Sequence, residues 1–275
     1  MSRQERISII TVSLNNEAGL QKTLQSIAQQ GDAEYQLIVI DGGSVDGSRA
    51  VIDTFSHLIA YWVSEPDQGI YHAMNKGIAQ ATGDYCLFLN AGDWLVENSL
   101  ANAAKECTGE DIVYFGCYRS YSDGRVEEQS YPSRLTMRSF FKRTIGHQST
   151  FIKRDLFRQY GTYNESFQLH ADYDFWLKTI IIHRASCKYI DRFLCYYDMG
   201  GRSSQQSEQS QLEIERVLAS YLPIRVLDDY QYWFDREQEM EVLWWYQSKP
   251  MLYRVLVFFF NIIRRVIRYV PRQSR

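Results

Sequence analysis

The first 120 residues alternate short β-branched runs with stretches of helical periodicity. That alternation restricts the chain to an α/β domain with a largely parallel sheet, because parallel neighbours need a crossover between them. Residues 7–12 read as the first strand. Residues 17–29 follow as a helix with Leu20, Leu24, Ile27 and Ala28 on one face and Asn15 or Asn16 placed to cap it. The same logic gives strands at 36–40, 58–63 and 85–89 and helices at 48–55 and 70–81. Ligands of open α/β sheets bind beyond the carboxyl ends of the strands. Here those ends carry Asn15, Asn16 and Glu17, then Asp41, then Glu65 and Asp67, then Asn90 and Asp93. From Ile112 a longer apolar run reaches Tyr118 and a turn at Ser122-Asp123-Gly124, which predicts a hairpin. Residues 200–211 are rich in Gly, Ser and Gln and read as a mobile loop.

A chain of 275 residues, 45% hydrophobic and 15% aromatic, buries a substantial core and is not disordered. Its five cysteines lack CxxC spacing and several sit in apolar runs, which fits reduced buried thiols better than disulfides or a zinc site. The N-terminal residues hold no long apolar stretch, so a cytoplasmic location is expected. The net charge is −3, yet seven Lys or Arg and no acid follow Glu241. An acidic body with a basic tail argues against a nucleic-acid partner and for an anionic surface met by the tail.

Five segments in fixed order carry a family resemblance. They are Ser8 to Glu17, Val39 to Ser48, Glu65 to Asp84 (with Asp67-Gln68-Gly69 and Asn75-Lys76-Gly77), Phe88 to Trp94, and Ala171-Asp172-Tyr173-Asp174. Over roughly residues 7–200 the chain resembles the bacterial family 2 glycosyltransferases of capsule, exopolysaccharide and O-antigen assembly. These are inverting enzymes of the GT-A fold. The resemblance implies a mostly parallel central sheet with flanking helices, and a nucleotide diphosphate-sugar as donor, UDP-linked by preference. It implies donor contacts from Val12 and Leu14, which stand where the family usually has Pro and Tyr, and from Asn15, Glu17, Asp41, Gly43, Asp67, Asn75 and Lys76. Asp41 would accept from a ring N–H of the base, and the neighbouring glycines would allow close backbone approach.

The departing diphosphate gathers negative charge, which a divalent cation on carboxylate oxygens offsets. The family's acidic motif corresponds to Asn90-Ala91-Gly92-Asp93, where Asp93 alone is acidic, so the resemblance makes Asp93 the ligand of Mn2+ or Mg2+ with Asn90, Ala91 and Gly92 beside the donor. It makes Asp172 the general base for the acceptor hydroxyl. His147, His170 and Asp174 fall on the acceptor side, and Arg202 in a loop over the donor.

Residues 1–222 are expected to form the catalytic domain and 223–275 a helical, amphipathic and basic extension. The apolar run 255–263 is too short to span a bilayer. On a helix Leu252, Leu256, Phe259, Ile263, Val266 and Val270 share one side, and Arg254, Asn261, Arg265, Arg268 and Arg272 another. That pattern suits the inner membrane surface, near a polyprenyl-diphosphate-linked or saccharide acceptor. A helix packed on protein, including a homo-oligomer partner, is the alternative. Rival functions are a nucleotidyltransferase and a catalytically inactive nucleotide-sugar-binding protein.

Overall fold

The computed structural model describes residues 6–31, 33–142, 144–201 and 207–268. The chain divides into two compact units, 1–221 and 222–275.

In the first unit, β1 (Ile7–Ser13), β2 (Tyr35–Asp41), β3 (Ile59–Ser64) and β4 (Tyr85–Phe88) alternate with α1 (Glu17–Ala28), α2 (Ser48–Thr54) and α3 (Ile70–Gln80). Next come β5 (Trp94–Leu95), α4 (Leu100–Ala104), β6 (Ile112–Ser120), β7 (Val126–Gln129) and α5 (Met137–Lys142). A 3-10 turn (His147–Ser149) leads into β8 (Thr150–Lys153) and α6 (Arg154–Tyr160). After α7 (Ala171–Trp176), a π-helical stretch (Leu177–Ile182) leads to β9 (Cys187–Asp198) and α8 (Glu208–Tyr221).

Among the described residues all strands join one sheet in the order β3-β2-β1-β4-β8-β6-β9-β5, with β7 on β6. The β3-β2-β1-β4 half is parallel as the alternation requires. The other half is mixed: β8 runs antiparallel to both β4 and β6, while β6 and β9 are parallel. The Ser122-Asp123-Gly124 hairpin joins β6 to β7, with Gly124 at φ 86°. Residues 208–211, expected in a loop, instead open α8, because Leu212, Val217 and Leu218 continue a helical period that the Ser and Gln composition masked.

Both faces of the parallel half are covered. Ile7 and Ile9 of β1 point one way, into a core with Leu20, Leu24 and Ile27 of α1 and Val51 and Ile52 of α2. Each fully buried aliphatic side chain of this kind stabilises by about 1.5–3 kcal/mol. Asn16 caps α1 by accepting from the Gly19 amide at 3.1 Å. On the opposite face Phe88 meets Phe157 and Tyr163, and Phe157 stacks on Phe175, which seats α6 and α7. At the mixed edge Trp94, Tyr196, Tyr118 and Phe193 form a continuous aromatic stack across β5, β9 and β6.

The second unit consists of α9 (Ile224–Asp235), α10 (Glu237–Gln247) and α11 (Pro250–Arg268). Among the described residues no helix is long and apolar enough to cross a membrane. Leu252, Leu256, Phe259 and Ile263 of α11 are exposed, as are Trp233, Trp244 and Trp245. Of the expected amphipathic pattern, Val270 and Arg272 lie outside the described residues.

Helix α3 crosses β1 where a Cβ on Gly77 would collide with the Ile10 side chain. Alanine is the better helix former by about 1 kcal/mol, but overpacking of a tight core costs about 1–3 kcal/mol. Gly77→Ala is therefore expected to lower the unfolding free energy in urea titration. A gain in stability would show that α3 is not seated against Ile10.

Candidate active site

Parallel pairing aligns Ser13 of β1 with Asp41 of β2 and Asp41 with Ser64 of β3, so three strands end level. The chain past β4 is tied to the same edge, since Leu89 donates to the Ile10 carbonyl and Ala91 to that of Val12. The predicted residues fall into two groups along this edge.

The first group surrounds the ends of β1, β2 and β3. Asn15 adopts φ 49°, donates its amide to Ser44 Oγ and accepts from the Val45 amide at 2.9 Å, locking two loops together. Leu14 is exposed and Val12 buried. Glu17 donates its amide to Asp46 and lays its carboxylate against Gly47. Gly43 adopts φ 82°, and a side chain there would be strained and would crowd the Glu65–Pro66 backbone.

Asp41 departs from expectation. It is fully buried, and its carboxylate accepts from the hydroxyls of Ser44 and Ser64 and from the Ser44 amide. The group expected to meet a nucleobase instead braces the turn that would carry the base. Asn75 also departs: its amide bonds to both backbone groups of Tyr163 and to Glu165, tying α3 to the segment before α7. Lys76 makes ion pairs to Glu65 at 2.7 Å and to Asp67 at 2.6 Å. Burial pulls its pKa down, but these two carboxylates outweigh it and hold it above the usual lysine value. His72 lies 3.2 Å from Asp67, a contact the sequence reading did not include.

The second group follows β4. Gly92, at φ 111°, donates to Thr23, and Ala91 accepts from the Asn16 side chain. Asp93 is buried and accepts from the Asp198 amide at 2.9 Å. Burial above all, with the nearby Asp198 charge, pushes its carboxyl up to about 7. Asp198 is the acid that sequence reasoning missed; its Oδ2 lies beside Gly92, and the only hint was its place at the end of a strand. Among the described residues no group of three or more His, Cys, Asp or Glu side chains is arranged to hold a metal.

Asn90 links this group to Asp172. His147 Nδ1 lies 3.0 Å from Asp172 Oδ2, and His147 Nε2 lies 3.1 Å from Asn90 Nδ2. A carboxylate only accepts, so Nδ1 donates to Asp172, and in the neutral ring Nε2 accepts from the Asn90 amide. Asn90 Oδ1 is then buried without a partner. Tyr71, also absent from the sequence reading, places its hydroxyl 3.0 Å from Asp172 Oδ1. Burial pushes the Asp172 carboxyl up, but the His147 hydrogen bond and charge outweigh it and hold it below the usual carboxylate range. The same pairing, against burial, raises His147 above its ordinary value. His170 and Asp174 turn instead to α8: His170 Nε2 lies 2.7 Å from Ser210 Oγ, and Asp174 accepts from the Tyr221 hydroxyl at 2.7 Å. Arg202 lies outside the described residues.

The family model for Glycosyl transferase family 2 matches residues 8–166. The chain is also 34% identical over 214 residues to an uncharacterized glycosyltransferase of Mycobacterium tuberculosis, covering 75% of this chain and 80% of the relative. The chain belongs to glycosyltransferase family 2. A second relative, the PGL/p-HBAD biosynthesis glycosyltransferase of Mycobacterium bovis, is 34% identical over 207 residues, covering 72% of this chain and 78% of the relative. Among solved structures, S. aureus TarS 1–349 in complex with UDP superposes with a TM-score of 0.63 at 19% identity, over 78% of this chain and 65% of that one. The mannosyltransferase PcManGT of Pyrobaculum calidifontis, solved with GDP-Man and Mn2+, gives 0.58 at 18%, over 74% and 59%. These likenesses show the GT-A fold. The chain is a glycosyltransferase, which sets the nucleotidyltransferase reading aside.

Asp93 generates a stability signature in the protein without ligands. A carboxyl whose folded pKa is raised holds a proton that the unfolded chain releases near its ordinary value of about 4. Stability is therefore expected to fall as pH rises from about 4 to about 7, the folded value, and to level off above it. In EDTA, Tm measured across this window should show that slope in the wild type and a flatter profile in Asp93→Asn. Parallel profiles would mean that Asp93 is ionised throughout.

Proposed function

We propose that the chain is an inverting transferase that moves a sugar from a nucleotide diphosphate-sugar, a UDP-linked hexose or N-acetylhexosamine, to a lipid-linked or saccharide acceptor of the cell surface. The observation that carries this reading is the line Asp172–His147–Asn90, which ends at the strand edge with an acceptor oxygen, Asn90 Oδ1, buried and unpartnered. A buried orphan acceptor is costly, and a sugar hydroxyl satisfies it. The UDP in the TarS structure supports the donor class, and the name of the mycobacterial relative, a glycosyltransferase of PGL/p-HBAD biosynthesis, supports sugar transfer in a biosynthetic role.

The reaction is a single displacement at the anomeric carbon. The acceptor oxygen attacks from the face opposite the diphosphate, the bond to the diphosphate breaks, and Asp172 takes the hydroxyl proton. The His147 and Tyr71 contacts keep Asp172 ionised at neutral pH and fix which way its oxygens face. The ends of β1, β2 and β3, braced by Asp41, form the floor for the nucleotide, with Asn15, Gly43 and Asp67 at its rim.

A divalent cation fits beside Asp93. Two neighbouring acids, one with its carboxyl pushed up to about 7 by burial and by the other's charge, make a place short of positive charge. Asp93 and Asp198 would hold Mn2+ or Mg2+ with phosphate oxygens and water. The ion would offset charge on the leaving diphosphate. The Mn2+ in PcManGT supports this assignment.

The second unit, on this reading, meets an anionic membrane surface. Arg254, Arg264 and Arg265 of α11 are exposed beside its apolar residues, and each contributes on the order of 1 kcal/mol near such a surface.

Asp172→Asn is expected to lower transfer by about 10²–10⁴-fold while UDP-sugar with Mn2+ still raises Tm as in the wild type. Near wild-type turnover would remove Asp172 from the base role. The full-length protein should co-sediment with phosphatidylserine-containing liposomes at low salt and be released as salt rises, and failure to co-sediment would overturn the membrane assignment.

A further inference from the structure

We infer that α8 positions the catalytic base and that Glu213 is the residue through which it does so. This rests on the reading of Asp172 as the base.

Helix α7 carries Asp172 as its second residue, yet the residue at its N-cap, His170, makes no side-chain capping bond. The segment that leads into the helix is held from α8 instead. The backbone amides of Gln168, Leu169 and His170 donate to the Glu213 carboxylate at 2.9, 2.8 and 3.2 Å. Glu213 is only 5% exposed. A carboxylate is costly to bury unless its oxygens are saturated, and three charge-assisted amide bonds saturate them.

Two further residues of α8 reach the same segment: Ser210 meets the His170 ring, and Tyr221 meets Asp174. Positions 210, 213, 217 and 221 share one helical face, and Val217 between the polar contacts is fully buried. The segment from Gln168 to Asp174 is thus held at both ends, with Asp172 between the holds.

A hydrogen-bond path connects Glu213 to the base. Glu213 fixes the Leu169 amide. The Leu169 carbonyl lies 2.8 Å from the Tyr71 hydroxyl, and that hydroxyl lies 3.0 Å from Asp172 Oδ1. Displacement of Leu169 therefore moves the group that orients the base. The hydrogen bonds of this path involve none of Asn15, Asp41, Gly43 or Asp67 at the strand ends, so a defect in it should fall on turnover and spare donor binding.

The test is Glu213→Gln in the full chain, which keeps the shape and replaces one acceptor oxygen by an amide that faces backbone donors. We expect kcat to fall about 10–100-fold, as misplacement of a reacting group by about 1 Å does. The donor KM and the Tm increase produced by UDP with Mn2+ should match the wild type. Introduced into Asp172→Asn, the same change should cause no further loss, because the base it positions is already gone. Ser210→Ala, which removes only the His170 contact and leaves Glu213 buried, should show the same pattern in weaker form, and it carries the test if Glu213→Gln does not fold. Unchanged kcat, an equal loss in both backgrounds, or loss of the UDP-induced Tm increase would overturn the inference. Retained turnover in Asp172→Asn alone would instead overturn the base reading on which it rests.

Discussion

Backbone pairing of β1 with β2 and β4, and of β2 with β3, brings the carboxyl ends of these strands to one edge, and the whole site hangs from that edge. A shift of one residue in this register would turn Asp41 and Ser13 to the opposite face and remove the floor on which a nucleotide would rest. The register is held by burial on both sides: Ile7 and Ile9 face α1 while Ile10 faces α3. The site is precise because it stands on the most heavily buried part of the chain.

From that edge a single line of polar contacts runs away from the nucleotide, through Asn90 and His147, to Asp172. Its charges are interdependent. His147 draws Asp172 down and is itself raised by it, while burial above all pushes the Asp93 carboxyl up to about 7. Asp172 is thereby kept ionised. On the proposed reading, proton removal would fall to Asp172 at one end of this line and leaving-group stabilisation to the Asp93 side of the strand edge.

Much of the scaffold was legible because its signals are local. The strand and helix boundaries followed from hydrophobic period and the hairpin from Asp123-Gly124, while the cap of α1 was narrowed to Asn15 or Asn16, of which the fold uses Asn16. The strand-end rule pointed to Asn90 and Asp93, and the family resemblance to Asp172. Local signals misled where composition hid a helix, as at the start of α8, and they could not show the protein partners of the polar residues. Asp41 and Asn75 have the right chemistry for a nucleotide, yet packing commits them to Ser44, Ser64, Tyr163 and Glu165.

The sequence by itself determined the α/β alternation, the strand edge at which polar residues collect and most of the residues gathered there, since backbone preference and side-chain period are properties of neighbours in the chain. Only the tertiary structure decided what those residues touch. The partners of Asp41, Asp93, Asp172 and the Gln168–His170 amides lie far away in sequence, at Ser64, Asp198, His147 and Glu213. Whether a buried carboxylate faces ligand or backbone depends on which donors the fold brings within hydrogen-bond reach, and no local preference encodes that distance.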